Sequence, residues 1–280
     1  MTTSSKSSGR LDDFAGTLLL VGAGKMGGAM LEGWLALGLP ADRLAVVEPQ
    51  PTDSVVALKK RGLRLNPDLD RTQAAAIVIA VKPQVAPQAL PALAPTVGVD
   101  TVVVSIMAGR ALGFLARALP ADAAIVRAMP NTPASIGRGI TVAVGNAKVS
   151  QAQRALADRL LAATGAVEWI GDETLMDAVT AVSGSGPAYV FLLAESLTRA
   201  GIAAGLPPGL AERLARATVA GAGELLHRSP QPAAILRQNV TSPGGTTAAA
   251  LAVLMAENGL DPLMEQAVAA ATKRSRELAG

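Results

Sequence analysis

Between Thr17 and Trp169 the chain alternates short, continuous apolar runs with segments of helical periodicity, and few folds can accommodate that pattern. The runs TLLLV (17–21), RLAVVEP (43–49), AAAIVIAVKP (74–83), TVVVSIMAG (101–109), AAIVRAMP (123–130) and GITVAVG (139–145) are strand-sized and apolar on both faces. Such strands belong in a parallel sheet covered by helices on each side. From Asp172 onward the period changes, and 172–181, 187–205, 208–227, 244–257 and 260–279 all read as helices. The expected architecture is therefore an α/β domain over 17–171, with a mostly parallel sheet, followed by an all-α domain over 172–280. Half of the residues are apolar but only six of 280 are aromatic, so the helices must pack closely on small side chains.

The remaining composition excludes several kinds of chemistry. The chain has no cysteine and a single histidine, His227, which leaves no disulfide framework, no thiol nucleophile and no Cys- or His-rich metal site. Net charge is only +3 and the basic residues are dispersed, so no nucleic-acid partner is expected. The opening MTTSSKSSGRLDDFAG is polar and carries no apolar segment with a cleavage site; residues 1–16 are expected to form a disordered tail. No apolar run approaches bilayer length, and the expectation is a cytoplasmic protein with no membrane partner.

Gly22-Ala23-Gly24-Lys25-Met26-Gly27 is a GxGxxG set between the first strand and the first helix. Gly22 permits the tight turn, Gly24 lets a pyrophosphate approach the backbone, and Gly27 lets the helix close on the sheet, so a dinucleotide is the expected ligand. Glu48 ends the second strand, where an acidic side chain accepts from both adenosine ribose hydroxyls and repels a 2′-phosphate. That placement favours NADH over NADPH; the alternative is a solvated strand-end glutamate turned away by Pro49. Lys82 and the turn Ile106-Met107-Ala108-Gly109 follow later strands on the side where open α/β sheets bind ligands, and each also reads as a solvated strand end or packing turn.

In the helical half, VTSPGGTTAAALAVL (240–254) contains no charge, and none occurs from Gln238 to Ala256. Ser242 and Pro243 read as a helix start. Gly244 and Gly245, taken as lying in the first turn, cost helix stability and leave backbone N–H groups uncovered for an anion. Thr246 and Thr247 add hydroxyls for a neighbouring polar atom. Simple capping and a carboxylate site are both open on these residues alone. Gly201, Gly205, Gly221 and Gly223, inside the helical pattern of 187–227, require the close approach of another backbone, which a second chain supplies.

These stretches together resemble the pyrroline-5-carboxylate reductases: VGAGKMGGAM (21–30), AVKPQ (80–84), RAMPNTPA (127–134), VSGSGPAYVF (182–191) and NVTSPGGTTAAAL (239–251). The resemblance implies an N-terminal Rossmann domain and a C-terminal dimerisation domain whose helices exchange between chains. It implies that Val21, Gly22, Ala23, Gly24, Lys25, Met26 and Gly27 contact NADPH or NADH, as do Ala80, Val81, Lys82 and Pro83, and Ile106, Met107 and Ala108, with Asn66 near the adenosine. It further implies that Ser242, Gly244, Gly245, Thr246 and Thr247 hold 1-pyrroline-5-carboxylate, with Thr247 on the ring nitrogen as the catalytic contact, in a homodimer or an assembly of such dimers.

Reducing a C=N bond needs the acceptor carbon held against the nicotinamide and a proton on nitrogen that water can supply, so the protein's task is orientation and electrostatics. No acid, base or metal is demanded. His227 at a helix end then reads as a dipole-facing surface residue, and Glu195 as an exposed or paired carboxylate. Three rivals stand beside this reading. A hydroxyacid dehydrogenase of similar organisation needs a proton-transferring lysine on the first long helix of the second domain, and 187–205 has none. The others are a reductase of a related cyclic imino acid and a non-catalytic dinucleotide-binding regulator.

Overall fold

The computed structural model describes residues 9–279. The α/β part runs β1 (Leu18–Val21), α1 (Lys25–Ala36), β2 (Leu44–Val47), α2 (Asp53–Ala57), β3 (Arg64–Leu65), β4 (Ala74–Ile79), α3 (Ala86–Ala89), β5 (Val97–Ser105), α4 (Leu112–Ala116), β6 (Ala124–Met129), β7 (Gly139–Gly145), α5 (Gln151–Leu161), β8 (Gly165–Trp169) and α6 (Met176–Val179). The strands form one sheet in the order β3-β2-β1-β4-β5-β6-β7-β8. Every pairing is parallel except β6 with β7. That exception follows from chain length: only residues 130–138, holding a single 3-10 turn at Thr132–Ile136 and the left-handed Gly137, separate β6 from β7, too little for a crossover.

Continuous apolar sequence gives a sheet buried on both faces. Leu18, Leu20, Val46, Val78 and Val104 join Met30, Trp34 and Leu160 in one cluster, while Leu19, Val21, Ile77, Ile79 and Val103 join Leu90 and Leu115 in the other. Trp34 is fully buried, and its Nε1 donates to the Leu160 carbonyl at 2.8 Å, tying α1 to α5. β3 has only two residues, too few for the alternation by which a strand is read.

The N-terminal expectation needs correction for residues 9–16. Leu11 and Phe14 are buried in the cluster that contains Trp34, the Leu11 N–H donates to the Leu37 carbonyl at 2.9 Å, and Arg159 bonds both the Arg10 carbonyl and Asp13. The Arg159 hydrogen bond holds the Asp13 carboxyl below its ordinary value. The segment is a strap across the end of α1. Two large apolar residues in so short a segment give no periodic signal. Residues 1–8 of the expected tail lie outside the described residues.

The described residues form two compact units, 9–184 with 273–279, and Ser185–Thr272. They divide after Gly184, whereas the sequence reading drew its boundary at Gly171. The second unit contains α7 (Gly186–Ala203), α8 (Pro208–Arg228), α9 (Ala233–Asn239), α10 (Thr246–Leu254) and the greater part of α11 (Leu260–Ala279). α9, absent from the sequence expectation, has only seven residues. Among the described residues α7 has none that is buried, and α8 has only Ala211 and Ala215. Phe191, Leu193, Leu214, Leu225, Leu254 and Leu263 are exposed. A helical layer this open has little core of its own.

The glycines of this unit divide into two kinds. Gly221 and Gly223 have open space where a side chain would project, as the approach of a second backbone requires. Gly201 instead packs within the unit, its missing Cβ lying 3.2 Å from the Ala211 Cβ. Gly205 does not lie within a helix. It follows α7 in the left-handed conformation, φ 97°, and ends the helix there, a role for which glycine is favoured. The expectation of inter-chain packing at Gly201 and Gly205 is corrected accordingly.

Candidate active site

Parallel register aligns the C-terminal ends of the strands. Val21 stands beside Val47 and Ile79, and Ile79 beside Ser105. Gly22, Glu48, Ala80 and Ile106 therefore leave the sheet in one row. Backbone bonds continue the ladder across that row: Gly22 N–H to Val47 O at 2.8 Å, Ala80 N–H to Val21 O at 2.8 Å, and Ile106 N–H to Ile79 O at 3.0 Å. The strand order reverses at β1, so the glycine turn sits at the topological switch point where open α/β sheets bind ligands.

Each glycine of the turn has a distinct reason. Gly22 is left-handed, φ 92°, and a Cβ there would lie 2.8 Å from the Ala80 carbonyl oxygen. At Gly27 a Cβ would lie 2.1 Å from the Gly22 carbonyl oxygen, so only glycine lets α1 close on the turn. Gly24 meets nothing within 4 Å, and as the N-cap of α1 it supplies no side-chain cap. The first N–H groups of α1 are left for an anion. These features fit a dinucleotide pyrophosphate.

The neighbouring loops are cross-linked. Arg110 donates from Nε and Nη2 to the Pro83 carbonyl at 3.3 and 3.1 Å and stacks on Phe114 at 4.5 Å, joining the turn after β5 to the turn after β4. Ile106 and Met107 bury their side chains, whereas Ala108 and Lys82 are exposed. Any ligand contact from the first two is therefore through backbone.

Glu48 does not project freely. One carboxylate oxygen accepts from the Ala23 N–H at 2.8 Å and the other from the Gln50 N–H at 3.0 Å, so Pro49 has not turned the side chain away from the glycine turn. Asn66, left-handed with φ 49°, pairs with the backbone of Glu48 through both ends of its carboxamide.

Sequence reasoning missed Arg127 and Glu173. Arg127 is nearly fully buried in β6, and its Nη1 bonds Glu173 Oε1 at 2.8 Å; the same oxygen accepts from the Leu112 N–H at 2.8 Å. A lone arginine within the apolar run AAIVRAMP was the available signal, since a buried charge demands a partner. Beyond Glu173, Thr180–Gly184 forms a π-helical turn in which the buried Ser183 hydroxyl has no hydrogen-bond partner among the described residues.

In the second unit, Ser242-Pro243-Gly244-Gly245 forms a turn closed by Gly245 N–H to Ser242 O at 3.1 Å, with Gly244 left-handed at φ 70°. Proline second and a left-handed glycine third are the residues that a type II turn selects. α10 starts only at Thr246, so the two glycines precede the helix and do not burden its first turn, correcting that expectation. A Cβ at Gly245 would lie 2.7 Å from Ser242 Oγ. Gly245 is the N-cap and no side chain caps α10; Ser242 does not take that role. The leading N–H groups of α10 are thus without a helical acceptor, on a segment with no competing charge. Thr247 is half-buried in the first turn. His227 lies in the last turn of α8, and Glu195 is exposed and 3.6 Å from Arg199 one turn on. Among the described residues there is no cluster of groups that could hold a metal ion, and no helix is long and apolar enough to cross a membrane.

A mostly parallel sheet with an open glycine turn at its switch point, joined to a helical unit of exposed apolar faces, defines a dinucleotide-dependent oxidoreductase with a helical dimerisation region. Residues 17–109 match the family described as NADP oxidoreductase, coenzyme F420-dependent, and residues 173–278 match pyrroline-5-carboxylate reductase dimerisation. The pyrroline-5-carboxylate reductase of Pseudomonas aeruginosa is 40% identical over 268 residues, 94% of this chain and 96% of that protein. The enzyme of Pisum sativum is 36% identical over 94% of this chain and 96% of its own length. Among solved structures, a pyrroline-5-carboxylate reductase from Coxiella burnetii superposes with a TM-score of 0.87 at 34% identity, covering 95% of this chain and 99% of that one. A Plasmodium falciparum pyrroline carboxylate reductase with NADP bound gives 0.78 at 30% identity, covering 94% and 98%. The chain belongs to the pyrroline-5-carboxylate reductase family.

Proposed function

We propose that this protein reduces 1-pyrroline-5-carboxylate to L-proline, the last step of proline biosynthesis, with NADPH or NADH as reductant and as a homodimer in the cytoplasm. The observation that carries the reading is the uncapped, uncharged start of α10, a carboxylate-sized set of backbone donors with the Thr247 hydroxyl in the same first turn. The open Gly24 turn and the leading N–H groups of α1 would hold the pyrophosphate, and the turns at Ala80–Pro83 and Ile106–Ala108 the nicotinamide half. When bound, the reduced nicotinamide supplies the hydride.

The chain's own residues bind, orient and exclude. Backbone N–H groups at Thr246 and Thr247 would take the substrate carboxylate, and Ser242, Gly244 and Gly245 set the turn that presents them. The Thr247 hydroxyl would bond the ring nitrogen, holding its proton at the atom whose charge changes in the reaction. No side chain with a displaced pKa is needed, because the imine takes its proton from water. We further propose that the substrate segment of one chain serves the dinucleotide of its partner.

The test is direct. Purified protein is mixed with pyrroline-5-carboxylate and each reduced cofactor, the loss of nicotinamide absorbance is followed, and proline is identified in the product. Cofactor that binds and is not consumed defeats the reading in favour of a binding protein; consumption only with a different cyclic imino acid defeats the substrate assignment.

A further inference from the structure

We propose that Asn66 is a positioning residue for cofactor choice, acting through Glu48. The inference rests on reading Glu48 as the acceptor for the adenosine ribose hydroxyls. Glu48 is the first residue beyond β2, just past the last bond to the β1 side, Gly22 N–H to Val47 O, and β3 has only two residues with which to pair. Left alone, a residue at that point frays, and its side chain samples directions toward and away from the ligand row.

Asn66 removes that freedom. Its N–H donates to the Val46 carbonyl at 2.7 Å, extending the β2–β3 pairing by one residue. Its side chain then adds another: the Glu48 N–H donates to Asn66 Oδ1 at 2.8 Å, and Asn66 Nδ2 donates to the Glu48 carbonyl at 3.1 Å. The carboxamide imitates a strand neighbour, satisfying both backbone groups of Glu48. Asparagine suits the position on two counts. It carries a donor and an acceptor in one plane, and it tolerates the left-handed backbone, φ 49°, better than most residues that have a side chain.

With its backbone clamped, Glu48 directs its carboxylate over the glycine turn, where it accepts from Ala23 and Gln50 and keeps unused lone pairs. Two ribose hydroxyls can donate to such a fixed carboxylate, whereas a 2′-phosphate arriving there meets a negative charge that cannot swing aside. A released carboxylate loses both effects, gaining fewer hydrogen bonds from NADH and yielding to NADPH.

The measurement is the ratio of kcat/KM for NADH to that for NADPH, in wild type, Asn66→Gly, Glu48→Ser and the double variant, with thermal melting as a check on folding. Asn66→Gly keeps the left-handed backbone and deletes only the carboxamide; Asn66→Ser serves the same purpose should the glycine variant not fold. The expected result is a fall in the ratio of roughly fivefold for Asn66→Gly, the scale of one lost hydrogen bond. In the Glu48→Ser background the same change should leave the ratio where it is. Equal losses with both cofactors reduce Asn66 to a purely structural role and overturn the proposal. An equal ratio shift in both backgrounds also overturns it, pointing instead to direct contact between Asn66 and the adenosine. If Glu48→Ser itself leaves the ratio unmoved, the ribose reading falls and the positioning role falls with it. If Glu48→Ser moves the ratio and Asn66→Gly does not, only the positioning role is lost.

Discussion

On the function proposed above, Thr247 and Glu48 carry opposite kinds of consequence, one on rate and the other on choice. A hydroxyl that holds the protonated ring nitrogen keeps the acceptor carbon charged and placed for hydride, so Thr247→Val should cost about 1–3 kcal/mol in kcat/KM, the scale of a buried hydrogen bond left unmade. Cofactor affinity and melting temperature should hold. Steady-state kinetics with isothermal cofactor binding decides the matter, and unchanged kcat/KM removes Thr247 from the mechanism. Glu48→Ser should shift preference toward NADPH by roughly tenfold or more, because a charge facing the 2′-phosphate is gone. The two assignments differ in how far sequence could carry them. Gly22 and Gly27 were legible singly, since each has one steric reason that spacing alone reveals. The bond from Ala23 to Glu48 and the clamp from Asn66 were not, because both depend on side chains meeting across 25 and 18 residues of intervening chain.

Short elements escaped sequence reading for a common reason: β3, α9 and the strap at residues 9–16 are too short to carry a repeating pattern. The strap is the most consequential of them. Truncating Leu11, fully buried against the end of α1, should cost about 2–5 kcal/mol, as expected for a leucine removed from a packed cluster. Chemical denaturation of Leu11→Ala measures this, and a loss below that range would mean the strap is dispensable. Its attachment should also respond to acid. The Asp13 carboxyl titrates below its ordinary value in the folded state, so the contribution of its bond to Arg159 is complete above the ordinary carboxylate range and is lost as pH falls through the lowered folded value. The remaining elements were legible because each shows a continuous apolar run or a sustained helical period: the apolar strands β1, β2, β4, β5 and β6 and the helices α7, α8 and α11 all lie where the pattern placed them.

The whole molecule is a pairing of a well-packed α/β unit with a helical unit whose apolar side chains are largely uncovered, and that imbalance is the physical case for a homodimer. If the site is shared between chains, two lesions can be sorted. Gly24→Val projects a side chain into open space beside the turn and should fold normally while blocking the pyrophosphate. Purified heterodimers of Gly24→Val with Thr247→Val chains then contain one site with both lesions and one with neither, and should recover about half of the wild-type activity. Heterodimers no more active than their parents exclude a shared site. One feature of the α/β unit also governs how any such variant can be watched. Both tryptophans lie in it, Trp34 sealed beneath the strap and Trp169 at the end of β8 under the Arg154 guanidinium, while the helical unit has only Tyr189 and Phe191 as aromatic residues. Emission excited at tryptophan wavelengths is thus a report from one half of the molecule. A subunit interface could loosen and the helices melt without changing its colour, and circular dichroism or mass would register the event first.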